Sequence, residues 1–539
     1  MHSGEAPTRP IPVTRRSLLK GTAAAGLGVS ASAALWQVIT DKALAHGFQA
    51  GGPPTGSVVW ALTADPASLV PYGSSSTSNM QGKEFMYDSL LEWDRDLNIQ
   101  PALAESYETA DDLMSYVFHL RRGVLFHNGQ EMTAADVKYS LDLSLNPEPP
   151  ILPSPYLANV SGVEIVDDYT VRITTSVPDP TIPGVLAWQR MTPIFPNGIG
   201  EEINFLSEGI GTGPFKLIEY VPNSYLTYEA FPDYWNPGVP CVQSLTLQIV
   251  TDEPARVAFL RSGEIDGGTF TADSAAAFED DDQFEVLSGL FSAPRLLYVN
   301  TARDVPWRDV RVRQAVSKTI DRQEIIDKVY AGDAVLTGPI PPGYGDWALP
   351  EETLKEIYTV DVEGAKALMA EAGYADGFSV ELAAISAPRE YTQIAELIRE
   401  QLKQINIDVS VVPQEIGTFV ETINSTFDWA STGAGMRADP SGYVVQFRSG
   451  NSTFETQIGD GWISEEFDQL YDEALATSDN ARRHELYTRL QEIIIRDEAI
   501  NFYTVQPVKF QVVNKRLTGM YVAYTDFNTG LRYACVTDS

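Results

Sequence analysis

The first 45 residues carry the pattern of an export signal, which leaves about 490 residues to build the folded protein. Arg15 and Arg16 form a twin-arginine pair, and an apolar stretch rich in alanine and glycine follows at residues 21–35. Ala43 and Ala45 supply small residues at the −3 and −1 positions of a cleavage site. A chain of about 490 residues exceeds one ordinary hydrophobic core, so the sequence predicts two or more lobes.

The alternative to cleavage is that the N-terminal segment is retained as a membrane anchor. Its apolar stretch is short and broken by glycine and serine, whereas a spanning helix needs about 20 strongly apolar residues. The sequence therefore favours a cleaved signal and a protein that works in the periplasm or at the extracellular face of the cytoplasmic membrane. No cysteine lies beside the cleavage site, so a lipid-modified N-terminus is not indicated.

The composition is strongly acidic, with 73 acidic against 38 basic side chains and a formal net charge of −35. Nucleic-acid binding relies on lysine and arginine, so this balance argues against a nucleic-acid partner and against an anionic membrane surface. The five histidines are scattered. The sequence has no nucleophile elbow, phosphate-binding loop or dinucleotide fingerprint. We therefore predict no catalytic residue, no metal site and no cofactor.

Two cysteines, Cys241 and Cys535, are present in a chain that carries an export signal. An oxidising compartment permits one disulfide between them. Two free buried thiols are the alternative, and the sequence leaves both open.

Short strands and capped helices alternate along the chain, which predicts an α/β fold. Strands are expected at residues 57–62, 215–220 and 245–250. Thr133, Asp309, Asp321 and Asp361 are expected to begin helices, because hydroxyl and carboxylate side chains cap the first free N–H groups. A helix at 390–404 leads into an alternating strand from Ile407. Two late helices are predicted at 464–477 and 481–496, the second capped by Asn480.

Four sequence blocks occur together and in order. They are FHLRRGVLFHNG with TAADV (118–129 and 133–137), GTGPF with FPDYW (211–215 and 231–235), RVAFLRSGEID (256–266), and Asn300 with WRDVRVRQA and DR (307–315 and 321–322). With these blocks the chain resembles the extracellular solute-binding proteins of ABC importers, in the family that takes up peptides, nickel complexes and opines. His119 and His127 fall inside the first block, so we interpret them as structural.

The resemblance implies a two-lobed periplasmic-binding-protein type II fold with an extra subdomain inserted in lobe one. After the signal at 1–45, lobe one would comprise 46–95, 206–298 and 506–539, the subdomain 96–205, and lobe two 299–505. The chain crossings near 297–300 and 503–505 would form the hinge. Both cysteines would then share lobe one, which makes a disulfide geometrically possible.

The resemblance also implies a function. The protein would be a monomer, not an enzyme, that captures a small solute such as a peptide, an opine or a similar polar compound between its lobes. It would deliver this ligand to the permease subunits of an ABC transporter.

The ligand anchor of the peptide-binding relatives is missing here. Those relatives carry a Trp-x-x-Asp motif whose Asp, four residues ahead of a proline, pairs with the peptide α-amine. Counting back from Pro440, Met436 stands at the Asp position and Gly433 at the Trp position. This favours an anionic or neutral polar ligand, with Arg437 as a carboxylate partner. The alternative is that Arg437 points to solvent or pairs with Asp439.

Further candidates follow from the predicted lobes. Ser75, Ser76 and Thr77 precede a helix that is expected to start near Asn79 and could offer backbone N–H groups to an anion. Trp188 and Arg190 lie in a loop of the subdomain that is rich in tryptophan and proline. Phe270 and Thr271 follow the third block and could face the cleft. Surface loops or core packing are the alternative for each. The complete predicted ligand-binding set is Ser75, Ser76, Thr77, Trp188, Arg190, Phe270, Thr271, Gly435, Met436, Arg437 and Asp439.

Two other functions stay open at this point. A metal-chelate binder of the nickel type would hold its metal through a chelator that arginine side chains contact. An exported enzyme could carry a cofactor loaded before export, because the twin-arginine route tolerates folded cargo.

Overall fold

The structure is a computed structural model, and it describes residues 53–66, 68–72, 76–147, 155–188, 191–290, 292–425, 427–449, 464–524 and 529–537. The predicted export signal lies outside these residues. Within them, no helix combines the length and the apolar character that a membrane span requires.

The strands, numbered in chain order, are β1 (Ser57–Leu62), β2 (Leu91–Trp93), β3 (Ile99–Pro101), β4 (Ala104–Thr109), β5 (Ser115–Leu120), β6 (Val160–Asp167), β7 (Thr170–Thr175), β8 (Phe215–Val221), β9 (Tyr225–Ala230), β10 (Ser244–Ile249), β11 (Gly267–Phe270), β12 (Phe284–Leu290), β13 (Arg295–Val299), β14 (Ala334–Leu336), β15 (Phe378–Ile385), β16 (Ile407–Gln414), β17 (Trp429–Gly433), β18 (Phe502–Tyr503), β19 (Val505–Asn514), β20 (Leu517–Thr518) and β21 (Cys535–Val536).

The helices are α1 (Thr77–Lys83), α2 (Ala134–Leu145), α3 (Ile182–Leu186), α4 (Glu253–Ser262), α5 (Ala272–Ala276), α6 (Val310–Thr319), α7 (Arg322–Val329), α8 (Glu351–Ile357), α9 (Val362–Glu371), α10 (Glu390–Leu402), α11 (Ile416–Ile423), α12 (Ser441–Val444), α13 (Glu465–Ala476) and α14 (Asn480–Glu492).

Three larger sheets organise these elements. An eight-stranded sheet has the order β12-β19-β11-β1-β10-β9-β8, with β14 also pairing with β19. A five-stranded sheet has the order β16-β15-β17-β13-β18, and a four-stranded sheet the order β4-β5-β7-β6. β1 runs parallel to β10 and β11, and β15 runs parallel to β16 and β17, whereas β19 pairs antiparallel with its neighbours. The predicted α/β class is confirmed.

Two connections between the eight-stranded and the five-stranded sheet run from β12 to β13 and from β18 back to β19, and β14 makes a further excursion to the eight-stranded sheet between β13 and β15. The two connections are tied together, because the backbone N–H and the hydroxyl of Thr504 both donate to the Arg295 carbonyl at 2.9 Å. β13 belongs to the five-stranded sheet from Arg295 onward, so the predicted crossing at 297–300 falls at the end of this strand rather than before it. The predicted lobe boundaries themselves stay a prediction.

The five-stranded sheet is covered on both faces. Along β13, Leu297 and Val299 point into one apolar cluster, while Leu296 and Tyr298 point into the other. This alternation is the two-residue period of a strand, and burial on both faces is typical of sheets with parallel strands. The second cluster extends towards the segment after β17, where the candidate site lies.

Most predicted helix starts have the expected caps. Asp309, Asp321 and Asp361 each accept a hydrogen bond from a backbone N–H in the first turn of α6, α7 and α9. The predicted cap of α14 is wrong. Asp479 caps this helix by accepting from two backbone N–H groups, and Asn480 is already the first helical residue. A carboxylate one position earlier reaches the free N–H groups, so it takes the capping role.

The two histidines of the first block make scaffold contacts. Nε2 of His127 donates to the Gly213 carbonyl at 2.9 Å, and its Nδ1 accepts from the Gly211 N–H at 3.4 Å. Burial lowers the pKa of His127 to about 4, so the ring is neutral at physiological pH. His119 pairs with Glu108 at 3.3 Å. The ring of His127 therefore joins the first and second sequence blocks.

Cys241 and Cys535 form a disulfide, with Cα atoms 5.0 Å apart. The bond attaches β21, near the C-terminus, to the segment before β10 of the eight-stranded sheet. The alternative of two free thiols is wrong.

Candidate functional site

A cavity of about 330 Å³ lies between the four-stranded sheet region and the segment that follows the five-stranded sheet. Its first wall comes from the loops before β6 and after β7 and from α3; its second wall comes from the segment after β17 and from α12 and α13. The lining includes Tyr156, Asp179 and Val185 in the first wall, and Arg437, Asp439 and Tyr471 in the second.

The second wall begins where β17 ends. β17 lies inside the five-stranded sheet between β15 and β13, runs parallel to β15 and is almost wholly buried. In open α/β sheets, ligands bind beyond the carboxyl ends of such parallel strands. Residues 434–440 emerge from that end, which places Arg437 at the cavity.

The guanidinium of Arg437 contacts neutral oxygens. Its Nη1 donates to the carbonyls of Met436 at 3.2 Å and Gly435 at 3.3 Å, and its Nε donates to the Gly442 carbonyl at 3.3 Å. No carboxylate of the described residues lies within 4.0 Å of this side chain. Half-buried Arg437 is therefore a cation that carbonyl dipoles orient and that no acidic side chain in the described ranges neutralises.

Asp439 is paired elsewhere, which corrects one alternative reading of the sequence. Its carboxylate accepts from Nη2 of Arg483 at 3.1 and 3.2 Å, and its Oδ1 also accepts from the Ser441 N–H at 2.9 Å. The alternative in which Arg437 pairs with Asp439 is therefore wrong. Asp439 still lines the cavity, but its charge is balanced.

The backbone of Arg437 is held by Tyr344, a residue that sequence reasoning missed. The Tyr344 hydroxyl donates to the Arg437 carbonyl and accepts from the Arg437 N–H at 3.3 Å. The ring of Tyr344 packs edge-on against Tyr443 and Tyr524, with centroids 5.3 and 5.5 Å apart. The only sequence signal was an aromatic residue between glycines in a proline-rich loop, which does not by itself indicate a site.

Met436 and Trp188, both predicted, come together. They are buried in one cluster with Met80 and Met191, each with 1–3% of its surface exposed. The Trp188 ring also contacts Tyr156, with centroids 5.1 Å apart. Thioether and aromatic groups therefore surround the position at which peptide-binding relatives would carry the amine-binding carboxylate, and this environment is apolar.

Four other predicted residues are not among those that line this cavity. Ser76 caps α1 by accepting from the Asn79 N–H, and Thr77 is the first residue of that helix. Phe270 is buried in β11, where its ring packs in an apolar cluster and not in an open cleft, because the strand turns it inward. Thr271 caps α5 and donates to Glu253 at 2.8 Å.

Of the three remaining predicted positions, the structure places one. Ser75 and Arg190 lie outside the described residues. Gly435 contributes its carbonyl oxygen to the Arg437 side chain.

Asp179 is the second site residue that the sequence analysis missed. It follows β7, lines the first wall of the cavity and is 3% exposed. Its signal was an aspartate between two prolines ahead of a short helix, which usually indicates only a turn.

The comparison with known proteins identifies the family. The chain matches the model of the bacterial extracellular solute-binding proteins, family 5 Middle, over residues 98–455, more than half of its length. The glutathione-binding protein GsiB of Salmonella choleraesuis (strain SC-B67) is 27% identical over 512 residues, which cover 92% of this chain and 95% of that protein.

Solved structures share the fold. The periplasmic binding protein AgaA of A. tumefaciens R10, in complex with agropinic acid, superposes with a TM-score of 0.77 at 25% identity, covering 90% of this chain and 99% of that chain. DppA of Helicobacter pylori, in complex with the peptide STSA, gives a TM-score of 0.76 at 23% identity, with 90% and 98% covered. The fold is thus that of the type II periplasmic binding proteins, and the chain belongs to family 5 of the bacterial extracellular solute-binding proteins, the substrate-binding components of ABC importers.

Proposed function

We propose that this substrate-binding protein captures a small polar solute with a carboxylate group and that Arg437 binds this group. The observation that carries the proposal is the Arg437 guanidinium, which lies at an interior cavity with carbonyl oxygens as its acceptors and no acidic partner among the described residues. Relatives named for glutathione and agropinic acid, both carboxylate compounds, support the same ligand class.

The Arg437 guanidinium keeps its charge in a site from which part of the water is excluded. Carbonyl dipoles orient a guanidinium but do not cancel its charge, and charge-assisted hydrogen bonds to a carboxylate are about twice as strong as neutral ones. The planar guanidinium also matches a carboxylate in a two-bond geometry that lysine cannot reproduce. The cavity volume of about 330 Å³ is at the lower end of the range of small-molecule sites, roughly 300–1,000 Å³.

The remaining parts of the proposal concern how the protein works in the cell. The twin-arginine segment would export the chain, which would then act as a monomer in the periplasm or at the extracellular face of the membrane. It would hand the solute to permease subunits and would catalyse no reaction of its own. A metal chelate with free carboxylates is the second candidate ligand, because the same Arg437 would hold the chelator.

The test is a binding measurement on an Arg437→Met variant. The ligand that co-purifies with the wild-type chain is identified by native mass spectrometry, and its affinity is measured by titration calorimetry, with reduced glutathione as a defined probe. Loss of a charged hydrogen bond of about 1.5–3 kcal/mol should weaken binding about 10- to 150-fold. Metal analysis of the purified protein separates a chelate from a metal-free solute.

Arg482→Met is the matched control. Arg482 lies on α14, pairs with Glu473 at 2.7 Å and Glu485 at 3.0 Å, and does not line the cavity. This variant should bind as the wild type does. Wild-type affinity in the Arg437→Met variant would refute the proposal.

A further inference from the structure

Asp179 is held rigidly by neutral groups. Its Oδ1 accepts from the backbone N–H of Thr181 at 3.0 Å and from the Thr181 hydroxyl at 2.6 Å. Its Oδ2 accepts from Nδ2 of Asn159 at 2.9 Å. These bonds fix the direction of the carboxylate without supplying a positive charge.

The two carboxylates at the cavity differ in one respect. Asp439 is neutralised by Arg483 at 3.1 Å. Asp179, which is almost wholly buried, has no lysine, arginine or histidine within 4.0 Å in the described part of the chain. A buried carboxylate is costly unless a cation compensates it. The carboxylate in the first wall of the cavity therefore has no cationic partner among the described residues.

The second wall carries the guanidinium of Arg437, which donates to carbonyl oxygens and has no carboxylate partner within the described part of the chain. From this pairing across one cavity we infer that the ligand is a zwitterion, with its protonated amine at Asp179 and its carboxylate at Arg437. This inference rests on the proposed function and extends it from a carboxylate compound to a small amino acid derivative or peptide-like compound. A ligand that contacts both walls stabilises the conformation in which the two walls enclose the cavity, because these contacts exist only in that conformation.

The position of Met436 supports the assignment of the amine to the opposite wall. The resemblance to peptide-binding relatives places their amine-binding aspartate where this chain has Met436. Here that side chain is buried against Met80, Trp188 and Met191, which offer an ammonium group no carboxylate. The structure instead presents a carboxylate from Asp179, more than 250 residues earlier in the chain.

Matched pairs of probes test the inference. Titration calorimetry on the full chain would use tri-alanine with N-acetyl-tri-alanine, and reduced glutathione with its N-acetyl derivative. We expect the wild type to bind at least one free-amine compound about tenfold or more tighter than its acetylated partner. The Asp179→Asn variant should bring this ratio close to one, mainly by weakening the binding of the free amine.

Asp167→Asn is the matched control, because exposed Asp167 accepts a backbone N–H at 2.9 Å but does not line the cavity. This variant should keep the wild-type ratio. Thermal unfolding shows whether Asp179→Asn is folded; if it is not, the acetylation ratio of the wild type decides. Equal affinities within both pairs, or binding of none of the four compounds, would overturn the inference.

A fifth compound separates this inference from the proposed function. Tri-alanine amide retains the amine and lacks the carboxylate, so it should bind weakly if Arg437 acts as proposed. Tight binding of the amide together with weak binding of the acetylated peptide would refute the role of Arg437 and leave the amine site at Asp179 supported.

Discussion

Replacing Gly184 by alanine should weaken ligand binding without lowering the stability of the fold. Gly184 lies in α3, next to the first wall of the cavity, and faces the backbone of the second wall. A Cβ atom at this position would lie 2.5 Å from the carbonyl oxygen of Ala438, the residue after Arg437. The two walls approach each other here as closely as a glycine permits.

The magnitude follows from this distance. An ordinary Cβ contact begins at 3.4 Å, so the walls must separate by about 0.9 Å to admit the methyl group. A gap of about 0.5–1 Å removes a quarter to a half of the dispersion energy of the contacts it opens. The same separation of the walls also moves Arg437 away from a ligand that is bound to the opposite wall. Partial loss of one charged hydrogen bond, about 1.5 kcal/mol, corresponds to roughly tenfold weaker binding.

Gly184→Ala should not lower the free energy of unfolding, although it weakens ligand binding. Alanine is up to about 1 kcal/mol more favourable than glycine inside a helix, and the Gly184 backbone needs no left-handed conformation. The free energy of unfolding should therefore be unchanged or higher in a form with separated walls.

The assay compares calorimetric affinity for the co-purified ligand with thermal unfolding of the ligand-free protein. Gly417→Ala is the control, because Gly417 lies on α11 with no atom within 4 Å of an added Cβ. Wild-type affinity in the Gly184→Ala variant would contradict this prediction, since it would show that the two walls do not meet in the ligand-bound protein.

Two further predictions concern stability. Arg532 is buried and pairs with buried Asp88, so Arg532→Met removes the cation beside this carboxylate and should lower the free energy of unfolding in urea by about 3–5 kcal/mol. A loss below about 1 kcal/mol would contradict this. Burial lowers the pKa of His127 from 6.5 to about 4, so the unfolded chain takes up the proton first. Stability should therefore fall as the pH drops from about 6.5 towards 4, by at most about 3 kcal/mol. His127→Gln should lose this component, and an unchanged pH profile would disprove the assignment.

Local signals allowed much of the fold to be predicted. Asp309 and Asp321 act on N–H groups two or three residues away, so their capping role is visible in the sequence itself. The misplaced cap at Asn480 is an error of one residue, within the usual uncertainty of a helix boundary.

The candidate site was harder to predict because its partners are distant in the chain. The sequence spacing suggested Arg437 as the partner of Asp439, two residues away. In the structure, Arg483 on α14 pairs with the Asp439 carboxylate instead. Asp179 lies in the loop after β7, and no sequence pattern connects this loop with the residues of the second wall. Pairings of this kind depend on how the sheets pack against each other, and short-range patterns carry no information about that packing.

We propose that a ligand carboxylate binds Arg437 in the cavity between the two walls. The most direct test is a crystal structure of the protein with its co-purified ligand. We expect ligand oxygens within about 4 Å of the Arg437 guanidinium, in the range of an ion pair. A ligand bound elsewhere, or bound in this cavity with no anionic group at Arg437, would contradict it.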